Sequence, residues 1–335
     1  EPQAVLGSYL HRYAYPDFFQ KHRSGQNQLQ ESHTASTDGQ AQCLQMRGEY
    51  LYVAEGPGGF RVYDIANIGN KGVSQRIIRG PYSPLGHQAH VKTANATCMA
   101  LATNQPIAPT RNTGDLMRKT NLEQATHPIY HYAFIVDAHE GLVVVNIDTF
   151  ADGDAQNNFI QRSLTWNPGG ALSGASHIVL GGYYAYVATP QGIQVVNLED
   201  PLKPRLGPLI PIAGARASAL QFRYLFVTST KGLEVVDISS SERPVVLPHS
   251  VPLSDARRVY LARTYAYVAA GKDGLAIVDI EKPQQPQLYR LFNAEGAISD
   301  ARDVIVGSTN ASLFAYVADG RNGLKVIQLL SLIHI

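Results

Sequence analysis

Along this chain, apolar and aromatic residues come in paired short runs separated by a polar turn. The first run of each pair opens on an aromatic, as in Tyr50-Leu-Tyr-Val-Ala54, Tyr184-Ala-Tyr-Val-Ala188, Tyr224-Leu-Phe-Val-Thr228, Tyr265-Ala-Tyr-Val-Ala269 and Phe314-Ala-Tyr-Val-Ala318. Aromatic and β-branched residues at this density suit a pleated, half-buried strand. The second run repeats Gly-Leu-x-Val-Val-Asp-Ile with small changes. It stands at Gly59-Phe-Arg-Val-Tyr-Asp-Ile65, Gly141-Leu-Val-Val-Val-Asn-Ile147 and Gly192-Ile-Gln-Val-Val-Asn-Leu198. It returns at Gly232-Leu-Glu-Val-Val-Asp-Ile238, Gly274-Leu-Ala-Ile-Val-Asp-Ile280 and Gly323-Leu-Lys-Val-Ile-Gln-Leu329. Between the runs lie Glu55-Gly-Pro-Gly58, Thr230-Lys231, Lys272-Asp273 and Arg321-Asn322, which supply hairpin-turn chemistry. Proline-rich exits such as Asp200-Pro-Leu-Lys-Pro204 and Lys282-Pro-Gln-Gln-Pro286 follow the second run, where proline marks an outer edge. No amphipathic helical pattern of useful length interrupts the series.

The six anchor glycines stand 82, 51, 40, 42 and 49 residues apart. The shorter intervals fit the roughly 40–50 residues of one four-stranded propeller blade. Radial closure leaves only short, protected sheet edges, which suits an all-β chain of this length. The pattern predicts an all-β fold, a β-propeller of six four-stranded blades. The interval of 82 residues keeps a seven-bladed propeller as the alternative. Against it, Ala89–Leu101 offers a single strand region, and Asn104–Thr126, with Pro106, Pro109 and Gly114, reads as a loop insertion. Residues 1–39 read as an extended N-terminal segment, 40–330 as the propeller, and 331–335 as a tail too short to finish another strand.

Charge excludes some partners. The chain carries 28 Lys+Arg against 27 Asp+Glu, so no net field draws it to nucleic acid. No apolar run approaches the roughly 18–20 residues that cross a bilayer. The first residue is Glu1 rather than Met, which implies a removed leader or upstream domain. Cys43 and Cys98 fall in different blades. Either they form a disulfide between neighbouring blades, or they are two buried free thiols. Neither a CxxC nor a CxxCH spacing occurs, so the chain encodes no zinc knuckle and no covalent haem attachment.

The Gly-Leu-x-Val-Val-Asp-Ile units resemble the LVIVD repeat of exported or surface proteins of bacteria and archaea. Asp237-Ile238 and Asp279-Ile280 match it most closely, whereas Asn146, Asn197 and Gln328 depart from its Asp. The resemblance covers about residues 40–330. It implies a β-propeller in an extracytoplasmic setting, periplasmic, cell-surface or secreted. The chain is also similar to the propeller portion of larger bacterial proteins that carry c-type cytochrome regions. That likeness implies a protein partner or neighbouring domain, with haem reaching this chain only through that partner.

A second periodicity concerns the channel. Nine residues before the aromatic that opens the first run stand Ala41, Ala175, Ala215 and Ala256, with Ala89 and Ala301 in the same local context. The following residues are Gln42, His90, Ser176, Arg216, Arg257 and Arg302. If the innermost strands start at one face, these six side chains ring one mouth of the channel. Arginine forks suit bidentate carboxylate or anion binding. Asp255 and Asp300 precede two of the alanines, so inter-blade Asp–Arg pairing is the competing reading.

Other chemistry is sparser. His87, His90, His127, His131 and His139 cluster around the first insertion, and His87, His90, His127 and His131 are candidates to contact a partner's haem. Their spacings would hold a metal on a helix, but on strand or loop they read equally as structural or solvated histidines. Asp148, Asp152, Asp154 and Asn157 surround Gly153 as a candidate Ca2+ loop, although no glutamate closes it as an EF-hand requires. A plain capped turn accounts for the same residues. No catalytic motif is present, and His177, Asp237 and Ser218 form a triad on paper only. The reading is a non-catalytic, extracytoplasmic binding or scaffolding propeller that meets partners through the loops 104–126 and 149–167. The alternative is a propeller hydrolase or lyase holding an acidic substrate at the arginine-lined mouth.

Overall fold

A computed structural model describes residues 39–48, 50–64, 89–103, 127–151, 158–308 and 312–331. Six antiparallel sheets follow one another along the chain. The first orders β1 (Cys43–Arg47), β2 (Tyr50–Ala54), β3 (Phe60–Asp64) and β4 (His90–Val91), and the second β5 (Ala96–Leu101), β6 (Tyr132–Asp137), β7 (Gly141–Asn146) and β8 (Gln161–Trp166). The third holds β9 (His177–Gly181), β10 (Tyr184–Thr189), β11 (Gly192–Asn197) and β12 (Arg205–Ile210). In the fourth, β13 (Ala217–Gln221), β14 (Tyr224–Ser229) and β15 (Gly232–Asp237) are followed by two short strands, β16 (Val245–Val246) and β17 (Val251–Pro252), that both pair with β15. The fifth comprises β18 (Val259–Ala262), β19 (Tyr265–Ala269), β20 (Leu275–Asp279) and β21 (Gln287–Phe292). The sixth shows three described strands, β22 (Asp303–Ser308), β23 (Ser312–Ala318) and β24 (Leu324–Ser331). The fold is a six-bladed β-propeller.

The 82-residue interval is now accounted for at its ends. His90 and Val91 close the first sheet, and Ala96–Leu101 opens the second, so Ala89–Leu101 contains two strands rather than one. The insertion 104–126 and the segments 1–38 and 332–335 lie outside the described residues. Of the proposed contact loop 149–167, Gln161–Trp166 is strand β8, so only part of that span is loop.

The repeated residues have repeated jobs. The aromatic runs and the Val-Val runs form the second and third strands of each sheet, and β14 is buried along its whole length. The two pair so that Tyr224 faces Asp237 and Ser229 faces Gly232, leaving Thr230-Lys231 as the hairpin turn. At the anchor glycine the backbone adopts φ +125° at Gly232, and a Cβ there would stand 2.1 Å from the Val251 carbonyl oxygen. Glycine is required because the outer strand passes where a side chain would be. The repeat's Asp has a different task. Its carboxyl accepts the backbone N–H two residues on, from Ser239 to Asp237 at 2.8 Å and from Glu281 to Asp279 at 2.9 Å. Asn146 and Asn197 accept from Asp148 and Glu199 in the same way, at 3.0 and 2.8 Å. One side-chain oxygen suffices for this turn, so Asn replaces Asp without loss.

The chain divides into two compact units, residues 1–184 with 197–205, and 185–196 with 206–335. In the first unit, Tyr52, Phe60, Met99, Ile135 and Val143 form a core between the first two sheets. Their innermost strands are also stitched together. A disulfide joins Cys43 to Cys98 across a Cα–Cα distance of 4.8 Å, which settles the fate of the two cysteines. Below it, the Gln45 side chain accepts from Leu101 N–H at 2.9 Å, and the Arg47 guanidinium lies 4.4 Å from the Tyr130 ring. In the second unit one core, including Phe226, Val235 and Val268, fills the space between the fourth and fifth sheets. Another, including Tyr267, Leu275 and Val317, joins the fifth to the sixth. Among the described residues no helix is long and apolar enough to cross a membrane.

Candidate functional site

In the second unit the residues leading into the innermost strands are Arg216, Arg257 and Arg302, each preceded by a buried alanine. Backbone bonds fix all three alike. Arg216 N–H donates to Thr228 O at 2.8 Å, Arg257 N–H to Ala269 O at 2.9 Å, and Arg302 N–H to Ala318 O at 2.8 Å. Their side chains meet two carboxylates in an alternating row. Arg216 Nη1 donates to Asp255 Oδ1 at 2.5 Å, and Arg257 Nε to Asp255 Oδ2 at 2.9 Å. Arg257 Nη1 donates onward to Asp300 Oδ1 at 2.7 Å, and Arg302 Nε to Asp300 Oδ2 at 2.9 Å. Each carboxylate thus spans two guanidinium groups, one from its own sheet and one from the sheet before.

Three cations against two carboxylates leave one positive charge in the row, and it ends at Arg302, whose side chain is 62% exposed. Partial burial pushes the Asp255 carboxyl up, and the bonds from Arg257 and Arg216 overcome that and hold it below the ordinary carboxylate range. The bonds from Arg257 and Arg302 hold Asp300 below that range as well. Burial works against the charge on Arg257, yet its two carboxylate partners raise its affinity for the proton.

Asp300 is aimed from behind. Asp319, buried after β23, accepts the backbone N–H of Ser299 at 3.0 Å and of Asp300 at 2.6 Å. In the first unit Asp137 is the counterpart, accepting from Asn95, His139 and Glu140. Burial raises its carboxyl, and the three backbone N–H groups bring it below the ordinary range. Both residues stand five after the aromatic that opens the second strand. Glu55, Thr189 and Ser229 hold the same offset and are also buried, while Ala270 is the apolar member. Sequence reading passed over this position, although a polar residue recurring at a fixed offset within an apolar run was its visible signal.

The first unit contributes differently. Gln42 leads into β1 and donates its N–H to Ala54 O at 2.8 Å. Ser176 leads into β9 and is half-buried. His90 does not belong with them. It lies in β4, the outermost strand of the first sheet, with Nε2 2.6 Å from Gly58 O. Burial, then the charge of Arg61, lowers its affinity for a proton. The equivalent position in the second sheet is Thr97, between Ala96 and Cys98, whose hydroxyl donates to Val136 O at 3.0 Å and reaches Ala175 O at 2.7 Å.

The other candidates disperse. His127 is buried, accepts the Ile129 N–H at 3.1 Å and stacks on Tyr183 with ring centroids 5.6 Å apart. Burial lowers its affinity for a proton. His131 Nδ1 hydrogen-bonds the Asp148 carboxyl at the surface, so the two are taken up by each other. His87, Asp152, Asp154 and Asn157 lie outside the described residues. Among the described residues, no group of three or more His, Cys, Asp or Glu side chains is gathered around a metal-sized space. Asp237 of the paper triad is occupied by the N–H and hydroxyl of Ser239 in the turn after β15.

The LVIVD repeat matches this chain at residues 38–73, 131–148, 219–246, 254–293 and 300–328. No functionally curated protein matches it. Among solved structures it is similar to virginiamycin B lyase from Staphylococcus aureus, with TM-score 0.53, 10% identity, and coverage of 88% of this chain and 85% of that one. The computationally designed Ika8 protein gives TM-score 0.51 and 14% identity over 87% of this chain and 72% of its own. The extracellular domain of a B. thetaiotaomicron protein described as a one component system gives TM-score 0.50 and 11% identity. That match covers 90% of this chain and 34% of the other. At such identities the likeness is one of fold alone. The matched stretches contain the anchor glycines Gly59, Gly141, Gly232, Gly274 and Gly323 with the strand at each, in five of the six blades, and the chain is an LVIVD-repeat β-propeller protein.

Proposed function

We propose that this propeller is a non-catalytic, extracytoplasmic binding or scaffolding module that works within a larger surface or electron-transfer assembly. The observation that carries the reading is the row from Arg216 to Arg302, in which the cations of a would-be substrate site are bonded to Asp255 and Asp300 and fasten sheet to sheet. Groups held in this way position strands rather than reacting atoms. The compartment rests on the Cys43–Cys98 disulfide, a bond that persists in oxidising surroundings and is rare where thiols are kept reduced. A haem-bearing partner remains part of the proposal through the family resemblance, with no haem residue assigned within this chain.

The alternative, a propeller enzyme for an acidic substrate, has one observation in its favour: Arg302 ends the row with its side chain largely exposed. One experiment separates the readings. The full chain is purified from an envelope fraction after cross-linking, with haem absorbance and mass spectrometry of what accompanies it. Stoichiometric recovery of one partner supports the module. A partner-free, colourless protein that turns over a carboxylated substrate, and loses turnover in Arg302→Ala, would establish the enzyme instead.

A further inference from the structure

In the first, third, fourth and fifth sheets two residues separate the first two strands, and the first of the two takes a positive φ. In the first unit the position is glycine, Gly48 at +60° and Gly182 at +62°. In the fourth and fifth sheets it is Phe222 at +53° and Arg263 at +56°. Left-handed backbone is disfavoured for any side chain with a Cβ and is an outlier for a bulky one. Phe222 is also 95% exposed, so its ring contributes nothing to the core. Neither turn chemistry nor packing accounts for an aromatic at this site.

The two tips are held together. Gln221 Nε2 donates to the Arg263 backbone oxygen at 2.8 Å, fixing the neighbouring hairpins side by side. Arg263 is exposed and makes no ion pair among the described residues. Beside Phe222, the Arg223 guanidinium lies 5.1 Å from the Tyr224 ring and donates to its hydroxyl at 2.9 Å. Its carboxylate neighbour, Asp237, is 3.9 Å away and already bound to Ser239. An exposed aromatic next in sequence to one arginine and tied through Gln221 to the hairpin that carries another, with Phe222 and Arg263 both on a backbone that resists them, has the make-up of a recognition surface rather than of a fold element.

We propose that the tip pair Phe222–Arg263 is a docking surface for a protein segment that offers an apolar pocket or large apolar side chain beside a carboxylate. Phe222 is the anchor, and Arg263 selects the acidic neighbour. The proposal rests on the module reading above, because it names the surface through which such a module grips a partner. The choice of a protein over a membrane follows from local charge: Asp237, Asp279 and Glu281 lie at the same ends of these sheets as Arg223 and Arg263, so no broad cationic face is present for an anionic bilayer.

The test uses the full chain, immobilised, with a phage-displayed library of random peptides as the probe. Enriched peptides are expected to pair a large apolar residue with Asp or Glu. Their binding is expected to fall at least tenfold in Phe222→Gly and in Arg263→Glu. Phe222→Gly places the residue preferred by this turn, so its melting temperature should hold or rise and a lost fold cannot explain lost binding. Peptides without an acid, no enrichment, or binding that survives Phe222→Gly would overturn the surface while leaving the module reading intact. Concentration-dependent dimerisation abolished by Phe222→Gly would assign the tips to a second copy of the chain and overturn the proposal. So would binding to phosphatidylglycerol vesicles that depends on Phe222. Turnover of a carboxylated substrate lost with Arg302 would overturn the module reading without altering the peptide result.

Discussion

Replacing Cys43 and Cys98 together by alanine cuts the covalent tie between β1 and β5 and leaves the Gln45 and Arg47 contacts of the same interface in place. The two cysteines are 55 residues apart. In the chain-entropy treatment, closing a loop of that length removes about 14 cal/mol/K from the unfolded ensemble, so the bond stabilises the fold by about 4 kcal/mol at 25 °C. For 335 residues at about 2.1 cal/mol/K each, the unfolding entropy is about 0.7 kcal/mol/K, and the expected drop in melting temperature is about 6 °C. Differential scanning calorimetry measures this directly. Native protein melted in reductant supplies a control free of any cavity left by the alanines, and it should fall by a similar amount. Thiol titration of unreduced, denatured protein should find no free thiol. Two titratable thiols in that sample, or equal melting temperatures with and without reductant, would refute the argument and with it the compartment assigned above.

Acidification should act on the arginine row. Asp255 and Asp300 are held below their usual range, so the stability they contribute is complete above the unfolded value of 3.8 and is lost as pH falls through their lower folded values. Melting curves from pH 6 downward should show this loss below about pH 4, and Asp255→Asn should flatten it. Gly232→Ala forces a Cβ to 2.1 Å from Val251 O and should cost about 3 kcal/mol or prevent folding, read by denaturant titration. Asn197→Asp should be neutral by the same measurement, whereas Asn197→Ala, which removes the acceptor for Glu199 N–H, should cost about 1 kcal/mol.

The fold was legible because each repeated residue answers a local demand. Gly232 is excluded from carrying a side chain by the strand beside it, and Asp237 or Asn197 closes the turn two residues later. Such demands recur with the chain and leave a period. What decided the site does not recur in that way. The pairing of Cys43 with Cys98 depends on which inner strands are neighbours, a tertiary fact that no window of sequence contains. Thr97 was hidden behind His90 because the long insertion removes the count from the following aromatic, and a register shift between Ala96 and Cys98 displaces the strand further. The split outer strand of the fourth sheet was equally hidden, since β16 and β17 are two residues each. The arginines and the aspartates two residues before Arg257 and Arg302 were both visible by spacing, and the inter-blade pairing offered for them is the one formed, Arg216 with Asp255 and Arg257 with Asp300.

The departures from the repeat show where selection of residue type is free of the core. Second and third strands are built from one apolar recipe, so each sheet could meet its neighbour by packing alone. Beyond that packing, four of the junctions between sheets carry added side-chain fastenings of three kinds. The first and second use a disulfide, and the second reaches the third through Thr97 to Ala175 O. The fourth and fifth share Arg216–Asp255 and Thr228 Oγ1 to Arg257 O at 2.7 Å, and the fifth and sixth share Arg257–Asp300 with a backbone bridge from Gly271 to Ala301. Fastening demands only that each junction be closed by something, and a disulfide, a hydroxyl and an ion pair all satisfy it. The variety at the inner end of the blades is what fastening allows. Side chains that neither fasten nor pack, Phe222 foremost, are the ones left to meet another molecule.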